Sequence, residues 1–232
     1  MIPDEIRRLN LRLALLVRAG SKAYGIQVEE SDDDAIGIFI APLREIASMA
    51  GLAKETIVGT KPDFTLHEIA KFCRLALKGN PAVLETLWNE EILHADEWGR
   101  TLLKMRSKFL HRGSLQVYVD YARDQMKRMT RGSSLHSKGG AYNAKYGAHL
   151  IRLLHAGIHL AEKGEVLVRV PAPLARTLLS IRRGGLPMGE VLDRARPLLD
   201  RLAALTESND LPEEPDARAI DDCVVRAHLS EA

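Results

Sequence analysis

The sequence is poor in aromatic residues and cysteine, and it carries no strong excess of either charge. Aromatic residues make up 5% of the 232 positions, so Leu, Ile, Val and Ala must build the core. Two cysteines, Cys73 and Cys223, are too few for a cysteine-based metal site and indicate a reduced cytosolic protein rather than a disulfide-stapled secreted one. A net charge of +2 excludes a polycationic nucleic-acid coat but is compatible with a local basic patch.

Long apolar runs are also missing. Arg12 and Arg18 interrupt the apolar run of residues 11–19, whereas a membrane-spanning helix needs roughly 20 apolar residues. The first five residues lack the basic segment that begins a signal peptide. We therefore expect a cytoplasmic protein without membrane contact. With 46% hydrophobic and 28% charged residues, the chain has the composition of an ordinary folded protein.

The apolar pattern predicts a small sheet followed by helices. Apolar runs at 13–17 and 35–40 predict two buried strands, and a third, shorter strand is predicted at 63–66. The segment 44–59 is predicted to be helical or irregular. After residue 66 the apolar residues follow helical spacing. Further helices are predicted at 81–88, 97–109, 114–129, 140–163, 172–183, 187–206 and 216–229.

These elements predict an α+β fold with two domains. A small mixed β-sheet core is expected in residues 1–90, and a helical domain is expected in residues 91–232.

A glycine–serine turn follows the first predicted strand. Gly20 allows a sharp turn and a close approach of the backbone to a ligand. If a helix starts just after Ser21, its free backbone N–H groups point at an anion. Ser21 adds a hydroxyl donor and Lys22 adds a positive charge. The turn therefore predicts a phosphate-binding site.

Paired carboxylates precede the second predicted strand. Asp32 and Asp34 lie two residues apart and share one face if the strand begins near Asp32, while Asp33 points the other way. Two adjacent carboxylates repel each other unless a cation lies between them, and such hard oxygen ligands select Mg²⁺. Asp63 could supply a third carboxylate, complete a two-metal site and activate an attacking hydroxyl. The alternatives are a solvated acidic turn before the strand and, for Asp63, a helix N-cap or turn residue.

The order of these motifs resembles the DNA polymerase β-like nucleotidyltransferase superfamily. The strings Gly-Ser-x-Ala-Tyr-Gly at 20–25 and Ser-Asp-x-Asp-x-x-Gly-Ile at 31–38 are similar to those of predicted nucleotidyltransferases of bacteria and phages associated with RNA-repair ligases. Segments 71–88 and 145–154 resemble the second and third blocks of that group. The resemblance spans most of the chain and implies that the helical domain closes a nucleotide-binding cleft.

The resemblance implies the transfer of a nucleoside monophosphate from a nucleoside triphosphate to an acceptor, with release of pyrophosphate. Carried over by position, Gly20 and Ser21 hold the triphosphate. Asp32 and Asp34 hold Mg²⁺, or Mn²⁺ in its place, and Asp63 takes the role of the third carboxylate. The favoured acceptor is an RNA end. A different nucleic acid, a protein hydroxyl and a non-catalytic nucleotide-binding module are the alternatives.

Four further residues are candidates for contacts to the nucleotide. Tyr24, after the turn, either stacks on a base or packs within the fold. Lys145, His149 and Arg152 are spaced by four and three residues and therefore share one face of the helix predicted at 140–163. Such a basic stripe could bind the triphosphate or an acceptor backbone. The alternative is a solvated charged face.

Overall fold

The structure, a computed structural model, describes residues 2–29, 31–60, 62–131 and 142–230. The chain divides into two units, of which the first comprises residues 1–110 and 215–232 and the second residues 111–214. This division differs from the predicted one at residue 90, because the segments 91–110 and 215–232 belong to the unit that contains the sheet.

Five strands form one mixed sheet in the first unit. Its strands are β1 (Arg12–Arg18), β2 (Ala35–Ile40), β3 (Thr56–Thr60), β4 (Asp63–Glu68) and β5 (Ile92–Ala95). The order across the sheet is β3-β4-β2-β1-β5. β2 and β4 run parallel, and the other neighbours run antiparallel. Together with the helices, this sheet confirms the predicted α+β fold.

The two outermost strands were not predicted from the sequence. All but the last residue of β3 lies in the segment 44–59, which was expected to be helical or irregular, and β5 was not expected at all. Both are short edge strands whose residues are partly or fully exposed. An edge strand needs no continuous apolar run, so the pattern that identifies β1 and β2 is absent from these segments.

Eleven α-helices are found in the described part of the chain. They are α1 (Asp4–Arg8), α2 (Gly20–Tyr24), α3 (Leu43–Ile46), α4 (Ile69–Leu77), α5 (Pro81–Trp88), α6 (Glu97–Lys104), α7 (Arg112–Arg131), α8 (Ala144–Lys163), α9 (Ala172–Arg182), α10 (Met188–Glu207) and α11 (Ala217–Leu229). The predicted helices correspond to α4–α11 within a few residues at each end, except that the segment 97–109 divides into α6 and a 3-10 turn. Residues 140–141 of one predicted helix lie outside the described residues.

Aliphatic side chains and two phenylalanines pack against one another in the sheet. Leu16 of β1, Phe39 of β2 and Leu66 of β4 belong to one buried cluster, which Phe64 and Ile6 of α1 also join. α4 packs against β2 and β4, and α6 packs against β1. The central strands are thus buried, as their continuous apolar runs predicted.

A buried carboxylate explains why α11 belongs with the sheet. Glu68, at the end of β4, is 2% exposed, and its Oε2 accepts a hydrogen bond of 2.7 Å from the backbone N–H of Ala70 at the start of α4. Its Oε1 lies 2.8 Å from Nε2 of His228 in α11. Because an unpaired buried carboxylate is costly, this contact favours docking of α11 on α4.

The second unit is a helical assembly around α8. α8 packs against α7, α9 and α10. At Gly157 a Cβ atom would lie 2.8 Å from a methyl carbon of Leu202, so α8 and α10 approach closely. No helix in the described ranges is long and apolar enough to cross a membrane.

Gly99→Ala should destabilise the protein by about 1–3 kcal/mol, since overpacking has costs of that order. A Cβ at Gly99 in α6 would lie 2.0 Å from the backbone carbonyl oxygen of Ala14, which cannot rotate away. Gly189→Ala is the matched control, because Gly189 also lies in a first helical turn but has no atom within 4 Å of its Cβ position. Urea denaturation should show unchanged or slightly higher stability for the control, and equal losses in both variants would contradict the close contact.

Candidate functional site

The pairing of β1 with β2 sets the position of the glycine–serine turn. Arg18 pairs with Ala35 at the end of the two strands. The backbone N–H of Ala19 then donates a 2.8 Å hydrogen bond to the carbonyl oxygen of Asp34 and extends the ladder by one step. The next residue, Gly20, has φ +66° and begins α2. This left-handed conformation favours glycine, because other residues are strained there.

The carboxylate of Asp34 lies directly against Gly20. A Cβ atom at Gly20 would be 2.0 Å from Oδ2 and 3.0 Å from Cγ of Asp34. Both the conformation and the space therefore require glycine at this position. The structure thus brings together the start of the predicted phosphate turn, Gly20, and one of the three predicted metal ligands, Asp34, which lie 14 residues apart in the sequence.

The middle aspartate of the acidic loop binds two cations. Nζ of Lys22 donates a 2.7 Å hydrogen bond to Oδ1 of Asp33, and Arg18 forms an ion pair with the same oxygen. The hydrogen bond from Lys22 and the charges of Arg18 and Lys22 lower the pKa of Asp33. Arg18 also forms a 3.1 Å ion pair with Glu91. Lys22, predicted to contact the triphosphate, is therefore paired with Asp33, and neither Arg18 nor Asp33 was predicted to belong to the site.

The predicted metal ligands lie at neighbouring strand ends. Asp32 and Asp34 precede β2, which begins at Ala35 rather than near Asp32, so the face-sharing argument for a strand does not apply to them. Asp63 is the first residue of β4, and the next residue, Phe64, pairs with Ala35 in parallel register. Asp34 and Asp63 thus occupy adjacent positions at one end of the sheet.

Among the described residues, no three His, Cys, Asp or Glu side chains form a group that could hold a metal ion. The role of Asp63 as third ligand therefore stays a prediction. The chemistry of the remaining pair, Asp32 and Asp34, fits Mg²⁺. Mg²⁺ is commonly bound by one or two protein carboxylates and completes its coordination with water and substrate phosphates.

Tyr24 connects α2 to α5. Its hydroxyl donates a 2.8 Å hydrogen bond to Oε2 of Glu85, which is 5% exposed. This bond provides a partner for a buried carboxylate oxygen and fixes the end of α2. It therefore favours the interpretation that Tyr24 packs within the fold. Ser21 lies in the first turn of α2, and its backbone carbonyl accepts a 2.9 Å hydrogen bond from the N–H of Ile26.

The predicted basic stripe on α8 belongs to the second unit and passes from the surface into the interior. Lys145 is exposed, His149 is partly buried and Arg152 is 2% exposed. Nη2 of Arg152 lies 3.4 Å from Nδ1 of His149. Burial, together with the charges of Arg152 and Arg128, lowers the pKa of His149 to about 3. His149 is therefore neutral near pH 7, and helical spacing alone did not reveal the burial of Arg152.

The sequence matches the RNA repair pathway DNA polymerase beta family over residues 4–226. It is also 28% identical over 148 residues to the uncharacterized protein YcgL from Bacillus subtilis, across 59% of this chain and 56% of that protein. The chain thus matches little more than half the length of this curated relative. A crystal structure of a nucleotidyltransferase-like protein from Exiguobacterium sibiricum is similar at 14% identity and a TM-score of 0.31, over 88% of this chain and 72% of that one.

Gly20→Ala should destabilise the first unit more than Gly51→Ala does. Both glycines have φ +66°, but the Cβ position of Gly51 has no atom within 4 Å, whereas that of Gly20 collides with Asp34. The left-handed conformation costs each variant about 1–2 kcal/mol. Displacement of the Asp34 carboxylate should add roughly 1 kcal/mol or more for Gly20→Ala. Equal losses in urea denaturation would contradict the contact between Gly20 and Asp34.

The low pKa of His149 should make the protein sensitive to mild acid. The folded protein holds this imidazole neutral down to about pH 3, whereas the unfolded chain takes up a proton near pH 6.5. The free energy of unfolding should therefore fall as the pH decreases from about 6.5 toward 3, by up to about 1.4 kcal/mol per pH unit from this group. Urea denaturation across this range should show a weaker pH dependence for His149→Gln, and an unchanged dependence would refute the assignment.

Proposed function

Because this chain belongs to the RNA repair pathway DNA polymerase beta family, we propose that it transfers a nucleoside monophosphate from a nucleoside triphosphate to an RNA end. Membership of a polymerase beta family supports a general nucleotidyltransferase role, and the RNA repair pathway in its description favours RNA as the acceptor. The observation that carries the proposal is the Asp34 carboxylate held against Gly20 at the start of the glycine–serine turn. A carboxylate beside a turn of this kind supports the proposal, because such an oxygen could bind a cation close to the triphosphate.

The proposed reaction is a displacement at the α-phosphorus. An acceptor hydroxyl oxygen forms a bond to this phosphorus, and the bond from the phosphorus to the oxygen bridging to the β-phosphate breaks. Pyrophosphate leaves with the bonding electrons, and the hydroxyl proton passes to a carboxylate of the site, a role we assign to Asp63. Catalysis of this kind depends mainly on positioning and on neutralisation of charge.

Different residues of the site have different roles in the proposed reaction. The amides of the glycine–serine turn and the Ser21 hydroxyl orient the triphosphate. Asp32 and Asp34 would hold Mg²⁺, which when bound neutralises phosphate charge and polarises the phosphoryl oxygens. The ion pairs of Asp33 with Lys22 and Arg18 hold the acidic loop against the turn. Asp33 is thus a positioning residue, whereas its two neighbours in the loop are the proposed ligands.

The three aspartates of the acidic loop allow the same substitution to be compared at neighbouring positions. Asp32→Asn and Asp34→Asn should each reduce transfer by about 100-fold or more, since each removes a proposed ligand at the reacting phosphates. Asp33→Asn makes the same chemical change one position away and should cost no more than about 10-fold, because exposed ion pairs contribute little. The measurement incubates each protein with Mg²⁺, RNA of defined ends and each nucleoside triphosphate labelled at the α-phosphate.

The same assay distinguishes the possible acceptors. Label on RNA that Asp34→Asn abolishes supports the proposal. Label on a protein in place of RNA would instead favour modification of a protein hydroxyl. If Asp33→Asn loses as much activity as Asp34→Asn while all variants unfold at the same urea concentration, the assignment of the ligand pair is wrong.

A further inference from the structure

The second unit contains a cavity that the site described above does not use. It has a volume of about 660 Å³ and lies between α8, α9 and α10. All of its lining residues fall within 151–201, so the cavity belongs to the second unit alone. Binding sites for small molecules usually enclose about 300–1,000 Å³, and this cavity falls within that range.

Most of the cavity wall is aliphatic. Ile151 and Ile158 of α8, Leu174 of α9 and Leu198 of α10 line it, together with Leu167. Among the described residues that line it, none is Phe, Tyr or Trp. Nucleobases are often bound by stacking on aromatic rings, so this wall suits an aliphatic body better than a flat aromatic one.

Cationic groups lie along the α10 side of the cavity. Arg194 and Arg201 both line it and are seven residues apart, which is two helical turns or about 10 Å along α10. Arg194 forms a 2.7 Å ion pair with Glu190, which does not line the cavity, and Arg201 pairs with Glu162, which does. Two arginines thus line the cavity, each paired with one glutamate, and a ligand head group would take the place of these carboxylates on the guanidinium groups.

Two histidines lie on the α8 side. His155 and His159 are four residues apart on α8 and both line the cavity. Burial and the charge of Arg201 lower the pKa of His155, so its ring is neutral near pH 7. A neutral imidazole can donate or accept a hydrogen bond without adding charge. His155 can therefore orient a ligand without attracting it by charge.

We propose that this cavity binds a small amphipathic anion, with its apolar body against the aliphatic wall and a phosphate or carboxylate head group on Arg194 and Arg201. Guanidinium groups bind both kinds of head group in a bidentate manner. The ion pair of Arg194 with Glu190 joins side chains that are 49% and 47% exposed, so exchanging it for a ligand costs little. The inference concerns a separate site and does not depend on the proposed transfer reaction.

Calorimetric titration of the full chain tests the proposal with four probes: octyl phosphate, octanoate, adenosine monophosphate and inorganic phosphate. We expect octyl phosphate or octanoate to bind at least about 10-fold more tightly than inorganic phosphate, because the aliphatic wall adds the burial of the chain. Arg194→Ala and Arg201→Ala should each weaken this binding about 10-fold or more. Arg196→Ala is the matched control, since Arg196 lies on the same helix in a 2.6 Å ion pair with Asp193 and does not line the cavity.

Each outcome of the titrations either supports or contradicts the proposed anion site. Stronger binding of octyl phosphate than octanoate assigns a phosphate head group, and the reverse assigns a carboxylate. If adenosine monophosphate binds and neither octyl phosphate nor octanoate does, the proposed aliphatic body is wrong, even where the arginine variants weaken that binding. If Arg201→Ala fails to fold, Arg194→Gln, at an exposed position, tests the head-group contact. Absence of binding below about 1 mM, or equal loss with Arg196→Ala, overturns the proposal.

Discussion

The geometry of the candidate site depends on the contact between Gly20 and the Asp34 carboxylate. The backbone N–H of Ala19 donates a hydrogen bond to the carbonyl oxygen of Asp34, one step beyond the paired residues of β1 and β2. This bond holds the two backbones together at the point where the turn begins. A side chain at position 20 would occupy the space that the carboxylate fills. The turn, the start of α2 and the position of one proposed ligand are therefore set by a single close approach between two neighbouring strand ends.

The charged residues around this contact are the aspartates of the acidic loop, residues 32–34, and the two cations paired with them. Three consecutive aspartates would repel one another, and the structure relieves this repulsion by pairing the middle one with Lys22 and Arg18. Both cations are thus engaged on Asp33 beside the turn. In the proposed reaction a triphosphate would bring further negative charge to this corner, and that charge is the reason for proposing a divalent cation there.

Patterns of continuous burial were predictable from the sequence, whereas partial burial and long-range contacts were not. The apolar runs predicted β1 and β2, and the motif order selected Gly20 and Asp34, which lie against each other in the structure. The role of Asp33 was missed because the rule for alternating faces was applied to a loop that precedes the strand. The return of α11 to the sheet depends on a contact between Glu68 and His228, 160 residues apart, which leaves no local signal in the sequence.

Helical spacing identifies a face but not its depth, and this distinction changes the interpretation of α8. The helix packs against three others, so a basic residue in its middle, such as Arg152, is enclosed by protein. A buried guanidinium needs hydrogen-bond partners within the protein. Nδ1 of His149 lies 3.4 Å from Nη2 of Arg152 and is one such partner. Accessible cations of this unit lie elsewhere, since Lys145 near the start of α8 is exposed and Arg194 and Arg201 line the cavity. The depth of a residue in the helical assembly, and not its position on a helical face, therefore separates the cations enclosed by protein from those open to solvent.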